Sequence, residues 1–280
     1  MENKAVINKI IPFSNVDGPG NRVAIFFQGC NANCIYCHNH ETINMCTTCL
    51  ICVKKCPVGA ITFINGKVNY DEKKCIECDT CIKICPNSSS PRTKEYTVEE
   101  LFEIIQEYKL FISGITVSGG EATLRADFIT ELFKKVKTLG LTSFVDTNGF
   151  FNKNHLSNLI QVTDKFMVDI KAVSQIKTLC RSSLENNLEN LKYLLKLDKV
   201  YEVRTVIIEE YMDIENTINV VSNILKDYPE VIYKLIRVHS SGLSQKQKQL
   251  MEKHIPSKEY VKELAGKVQK IGVKKVEYIL

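Results

Sequence analysis

The sequence predicts an α/β fold: a partial (β/α)6 barrel of parallel strands, interrupted by a small cysteine-rich insert. Three observations predict it. Six short runs rich in β-branched and aromatic residues alternate with amphipathic segments along 280 residues, the order that gives parallel strands with helical crossovers. Polar residues with chemistry to offer fall where those runs end, the rim on which a barrel carries its functional groups. Eleven of the twelve cysteines lie between Cys30 and Cys85, which sets that stretch apart. Six units are too many for a small doubly wound domain and too few for a closed eight-stranded barrel.

The runs come in this order. Arg22–Gln28 leads to Cys30, Gly114–Ser118 to Gly119-Gly120-Glu121, and Ser143–Thr147 contains Asp146. Lys165–Ile170 carries Asp169 and leads to Lys171. Val200–Ile208 follows, then Val231–Val238 before His239, and a last short strand, Lys275–Ile279. All are nearly continuous in apolar character, as buried parallel strands are. Between them, Thr97 and Glu100 have the spacing of a capping box ahead of LFEIIQEY. Phe128, Leu132, Phe133 and Val136 share a helical face, as do Leu184, Leu188, Leu191, Leu194 and Leu195. Further helices are predicted over 213–226 and 257–270, the latter soon after Pro256. The barrel is expected to comprise residues 1–44 and 89–280, and the insert residues 45–88.

Hydrophobic residues at 44% and charged residues at 25% are ordinary globular values, which excludes a disordered or membrane-embedded chain. The first twenty residues offer neither an apolar core of signal-peptide length nor a cleavage site. The expectation is a cytoplasmic protein with no membrane partner, whose thiols stay reduced and bind metal. The net charge of +5 does not argue for nucleic acid, because thiolate-held iron–sulfur clusters would bring negative charge that offsets it.

The insert repeats one pattern at an interval of 29 residues: Cys46, Cys49, Cys52, Cys56-Pro57, then Cys75, Cys78, Cys81, Cys85-Pro86. C-x2-C-x2-C-x3-C-P, twice, is the spacing of bacterial two-cluster ferredoxins, in which the fourth cysteine of each run serves the other cluster. By that rule Cys46, Cys49, Cys52 and Cys85 hold one 4Fe–4S cluster, and Cys75, Cys78, Cys81 and Cys56 the other. Zinc is the competing reading, but zinc ribbons use two separated pairs rather than runs of three. CPVGAI follows the ferredoxin pattern; CPNSSS departs from it. Between the runs, AITFINGKVNYD reads as a hairpin turning on Asn65-Gly66.

A third motif, FFQGCNANCIYCHN, places Cys30, Cys34 and Cys37 together. Three thiolates with no adjacent fourth can hold three corners of a 4Fe–4S cube and leave one iron open to chelate a small molecule; a zinc site completed by His38 or His40 is the alternative. C-x3-C-x2-C after a first strand, with an aromatic before the third cysteine, resembles the radical S-adenosylmethionine (SAM) superfamily. VDGPGNRVAIFFQGC, with its Gly-x-Gly-x-Arg entry, narrows the resemblance to the activating enzymes of glycyl radical enzymes. VSGGEA, VDTNGF, MVDIK and RVHSSG extend it along nearly the whole chain, which most resembles the YjjW-type activases with a two-cluster ferredoxin-like insert.

The resemblance implies a radical SAM barrel, three 4Fe–4S clusters in all, SAM as co-substrate, and an oxygen-sensitive, anaerobic setting. One electron cleaves SAM to methionine and a 5′-deoxyadenosyl radical, which abstracts hydrogen from a glycine Cα of a partner glycyl radical enzyme. Reduced flavodoxin or ferredoxin is the implied donor. Cys30, Cys34 and Cys37 would bind the catalytic cluster; Tyr36, Cys37 and His38 would approach the adenine. Gly120 would admit the methionyl amine, Asp169, Ile170 and Lys171 the ribose and carboxylate, and His239 would close the adenosyl end.

The residues also speak for themselves. Lys171 suits a carboxylate, and carbonyls near Gly119-Gly120, or Glu121, suit an ammonium. Asp146 and Asp169 end successive strands, so they could share a monovalent cation or cap helices. GGEA stands where the superfamily often has GGEP, Ala122 replacing proline. Cys180 has no companion at ligand spacing and reads as a free, partly buried thiol. Two other functions compete: a radical SAM enzyme acting on a small molecule or RNA, and a ferredoxin-like electron carrier. No sizeable substrate domain remains for the first, and the second leaves Cys30, Cys34 and Cys37 unexplained.

Overall fold

The computed structural model describes residues 3–183, 185 and 187–280. The chain forms two compact units, one of residues 1–31 and 39–142, the other of residues 32–38 and 143–280. In the first unit β1 (Lys4–Ser14) pairs antiparallel with β2 (Arg22–Phe27). The insert follows as α1 (Ile51–Lys55), β3 (Ile61–Ile64), β4 (Lys67–Tyr70) and α2 (Thr80–Lys83), and the chain continues through β5 (Lys94–Thr97), α3 (Val98–Tyr108), β6 (Gly114–Gly119) and α4 (Ala126–Lys137). The strand order is β6-β2-β1-β5, with β2 and β6 parallel from Arg22 opposite Gly114 to Phe27 opposite Gly119.

Beneath these strands, Leu101 and Ile105 of α3 and Phe128, Leu132, Phe133 and Val136 of α4 are buried, the faces their spacing predicts. The Thr97–Glu100 capping box forms: the Glu100 N–H donates to Thr97 Oγ1 at 3.2 Å, and the Thr97 N–H donates to the Glu100 carboxylate at 2.7 Å. Arg22 is fully buried, an expensive place for a charge unless every donor is used. It donates to Thr116 Oγ1 at 2.8 Å, the Ile115 carbonyl at 2.6 Å and Thr142 Oγ1 at 3.0 Å. The arginine of the Gly-x-Gly-x-Arg entry thus ties β2 to β6 inside this unit.

The second unit contains β7 (Thr142–Thr147, its first residue assigned to the first unit), α5 (Ser157–Val162), β8 (Lys165–Asp169), α6 (Ile176–Cys180), α7 (Asn187–Lys196) and β9 (Val200–Ile207). It continues with α8 (Ile214–Leu225), β10 (Ile232–Arg237), α9 (Gln245–Met251), α10 (Lys258–Ile271) and β11 (Lys275–Ile279). Its strands run β7-β8-β9-β10-β11, each pair parallel. Leu191, Leu194 and Leu195 of α7 are buried, whereas Leu188 is only partly covered, and Leu184 lies outside the described residues.

The predicted strands and hairpin are present; β1, β5 and the five short helices α1, α2, α5, α6 and α9 were not foreseen. The irregular register of β1 about Pro12 explains the first miss, because proline breaks the alternating pattern and is admitted where a ladder is disrupted. Helix α9 carries its own capping box, Ser244 with Gln247, a signature visible in the sequence.

Candidate functional site

The C-terminal ends of β7 and β8, with the middle of β9, gather charge in the second unit. Asp169 ends β8, and parallel register sets it opposite Arg204 of β9. Lys171 Nζ donates to Asp169 Oδ2 at 2.6 Å, Arg204 Nε donates to Asp169 Oδ1 at 2.6 Å, and the Arg204 guanidinium also pairs with Asp146. Burial alone would push the Asp169 carboxyl up, but Arg204 and Lys171 hold it at about 2. Burial would lower Lys171; Asp169 instead keeps the ammonium protonated far above its ordinary value. Arg204 therefore stands between the two aspartates for which a shared cation was expected. Neither aspartate caps a helix: α5 and α6 begin from Leu156 and Gln175.

Residues 32–38, which hold two of the three motif cysteines, belong to this unit. The Asn33 and Ile35 N–H groups donate to the Cys180 and Leu179 carbonyls at 2.8 and 2.9 Å, so the motif runs alongside the end of α6. Cys180 is fully buried rather than partly so. Its thiol hydrogen-bonds Cys34, and that bond, working against burial and aided by Lys171, lowers the Cys34 thiol to about 7. Tyr36 is buried, with Lys171 Nζ 5.9 Å from its ring centroid. Gln247 Nε2 donates to the Cys37 carbonyl at 3.2 Å. His38 stacks on His239 with centroids 4.2 Å apart and gives its Nε2 proton to the His239 carbonyl at 3.0 Å. That bond fixes the orientation of the ring. Ile170 is fully buried and held by its N–H to the Arg204 carbonyl at 2.9 Å.

Cys30, Gly120 and the insert belong to the first unit. The Gly29 and Cys30 N–H groups donate to the Thr42 and Ile43 carbonyls, both at 2.8 Å. A Cβ on Gly120 would fall on the Gly29 and Thr42 carbonyls, so the turn after β6 closes only with bare backbone. Glu121 is buried, and its Oε1 accepts from the Thr123 N–H at 3.2 Å and hydroxyl at 2.6 Å. It begins the next helical turn.

In the insert, Cys46, Cys49, Cys52 and Cys85 line one recess together with Cys81. Cys56, Cys75 and Cys78 lie outside that lining. Among the described residues no group of three or more His, Cys, Asp or Glu side chains comes close enough together to hold a single metal ion. The backbone repeats as the sequence does: Thr48 and Leu50 (φ 56° and 64°) are matched by Glu77 and Asp79 (φ 55° and 57°). Non-glycine residues adopt positive φ rarely and at a cost; here both loops wrap the same way around their middle cysteines.

Burial raises the Cys56 thiol, but the N–H groups of Val58, Ile61, Ala60 and Gly59 outweigh it and bring the thiol below its ordinary value. At the divergent CPNSSS, the Ser89 hydroxyl sits 3.4 Å from Cys85 Sγ. A side-chain donor thus stands there beside the sulfur.

The Radical SAM superfamily model matches residues 24–221 of this chain. The chain belongs to that superfamily. A Haemophilus influenzae protein named as a glycyl-radical enzyme activating enzyme is 34% identical, the match covering 98% of this chain and 96% of the relative. The choline trimethylamine-lyase activating enzyme of Oleidesulfovibrio alaskensis is 28% identical over 89% of this chain and 88% of its own. Among solved structures, a domain of a pyruvate-formate lyase-activating enzyme from Bacteroides vulgatus aligns with a TM-score of 0.50 at 22% identity, covering 60% of this chain and 99% of that domain. That likeness is one of fold. These findings place the chain among the activating enzymes of the radical SAM superfamily, with its α/β architecture of mostly parallel strands.

Within this radical SAM chain the second unit brings together Cys34, Tyr36, Cys37, His38, Asp169, Ile170, Lys171 and His239. Sequence reasoning missed Arg204 and the role of Cys180. The signal for Arg204 was present: Glu202 and Arg204 are the charged alternate residues of a run, VYEVRTVI, that is otherwise apolar or small. No comparable signal marked Cys180, whose neighbour Cys34 is distant in sequence.

Proposed function

We propose that this chain cleaves SAM reductively and installs a radical on a glycine of a partner glycyl radical enzyme. One observation carries the reading. The segment Cys34–His38 is fixed against α6 and His239 in the same unit that holds the Asp169–Lys171 pair, so cluster-ligand chemistry and nucleotide-binding chemistry are built into one unit.

In this reading Cys30, Cys34 and Cys37 bind a 4Fe–4S cluster, and the donor set fits: Cys34 is lowered to about 7, which eases formation of the thiolate, the form that ligates iron. When bound, the reduced cluster supplies one electron to the sulfonium of SAM, giving methionine and a 5′-deoxyadenosyl radical that takes the hydrogen atom from a glycine Cα and leaves as 5′-deoxyadenosine. The protein's own groups bind and orient. Lys171, held protonated, receives the SAM carboxylate; Asp169, held ionised, accepts from ribose hydroxyls with the lone pairs its cations leave free. Ile170 fixes the backbone between them. Tyr36, Cys37 and His38 line the adenine, with His38 positioned by its stack on His239, which closes the adenosyl end. Gly120 leaves room for the methionyl amine. Arg204 supplies between Asp146 and Asp169 the positive charge for which a monovalent cation was expected.

The insert, residues 45–88, holds two further 4Fe–4S clusters in this reading, within a barrel made of residues 1–44 and 89–280. The recess lined by Cys46, Cys49, Cys52 and Cys85 supports the first ligand set. The hydrogen-bonded Cys56 sulfur supports the second, because N–H donors stabilise a thiolate and tune a cluster. The clusters would relay electrons from a reduced flavodoxin or ferredoxin in an anaerobic cytoplasm. No helix among the described residues is long and apolar enough to cross a membrane.

The test uses electron paramagnetic resonance. A candidate partner with a C-terminal glycine loop, mixed anaerobically with this protein and reductant, should show a glycyl doublet only when SAM is added. No doublet on any such partner, with SAM consumed all the same, would point instead to a small-molecule or RNA substrate.

A further inference from the structure

The hydroxyl of Tyr36 is an anomaly. The residue is 3% exposed, and its oxygen is one of the few buried side-chain polar atoms among the described residues with no hydrogen-bond partner. Native proteins leave few such groups, since an unsatisfied buried hydroxyl costs about 1–3 kcal/mol. A phenylalanine would fill the same space without that cost.

The surroundings say what would satisfy it. The Lys171 ammonium lies 5.9 Å from the ring centroid, and Cys34, Cys180 and Asp169 complete the electrostatic neighbourhood. A phenolic O–H is a hydrogen-bond donor, so the group faces an anionic partner as one. Asp169, which accepts from Lys171 and Arg204, does not hydrogen-bond this hydroxyl. Lys171 spends one of its three N–H bonds on Asp169 and has two to offer. A buried O–H without a partner, on a ring that an ammonium with spare donors faces at 5.9 Å from the centroid, is a place for an anionic oxygen from outside the chain.

We infer that the Tyr36 hydroxyl donates a hydrogen bond to the carboxylate of bound SAM, beside Lys171, and so helps the site select the methionyl end. The main chain of Tyr36 remains free to line the adenine. The inference rests on the SAM reading above and adds a side-chain contact to it.

The test compares wild type with Tyr36→Phe, both anaerobically reconstituted and oxidised so that no turnover occurs. Calorimetry measures Kd for SAM and for decarboxylated SAM, which lacks the carboxylate, and the thermal midpoint is read without ligand. Tyr36→Phe should weaken SAM about tenfold or more, leave Kd for the decarboxylated analogue unchanged, and keep or raise the ligand-free midpoint. Binding of the analogue doubles as the check that the variant is folded. Equal SAM affinity in the two proteins, or an equal loss for both ligands, would overturn the inference while leaving the SAM reading intact. A wild type that binds neither ligand would overturn that reading, and this inference with it.

Discussion

Asp169 shows how a single carboxylate is tuned by what the fold puts beside it. Its folded value of about 2 lies below the ordinary 3.8, so its contribution to stability is full above pH 3.8 and is lost as pH falls through about 2. The difference corresponds to about 2 kcal/mol. Asp169→Asn should therefore lower the unfolding free energy of the metal-free chain by about that amount at pH 6. It should also flatten the loss that wild type shows between pH 4 and pH 2. Urea unfolding across that range measures both, and an unchanged acid limb would contradict the pairing. Asp169 and Lys171 were legible in the sequence because they end an apolar run together. Arg204 was legible only as a charge within an otherwise apolar run; its place opposite Asp169 comes from parallel register.

The turn after β6 makes the same point for an element. Gly120 can be read as a close-approach glycine, but the surface it approaches, the Gly29 and Thr42 carbonyls, is set by tertiary structure. Gly120→Ala should destabilise by about 2–3 kcal/mol through overpacking. Gly266→Ala in α10, where a Cβ meets open space, should instead stabilise by about 0.5–1 kcal/mol. Thermal unfolding of the two variants side by side checks the contrast, and equal midpoints would refute it. The hairpin of β3 and β4 was fully legible, since Asn65 and Gly66 adopt the positive φ values, 51° and 77°, that their identities announce. Strands β1 and β5 were not: β1 is broken by Pro12, and β5 is only four residues long.

At the scale of the whole molecule, the cysteine spacing carries most of the functional information and the fold explains how it is used. The 29-residue repeat of ligands is also a repeat of backbone conformation, with paired positive φ values around Cys49 and Cys78. The donors around the two Cys-Pro sulfurs differ, backbone N–H groups at Cys56 and a serine hydroxyl at Cys85, which fits their different sequences. With three clusters bound, Cys46→Ala or Cys75→Ala should lower iron per chain by roughly a third and leave the SAM-responsive signal of the N-terminal cluster. Elemental analysis with spectroscopy decides this, and zinc at the insert would contradict the assignment.

The central claim is that the N-terminal cysteines support homolysis of SAM. It is tested most directly by giving SAM to reconstituted, dithionite-reduced protein in the absence of any partner and measuring 5′-deoxyadenosine. Wild type should form it and Cys34→Ala should not. Intact SAM with the wild type, or equal product from both proteins, would contradict the account.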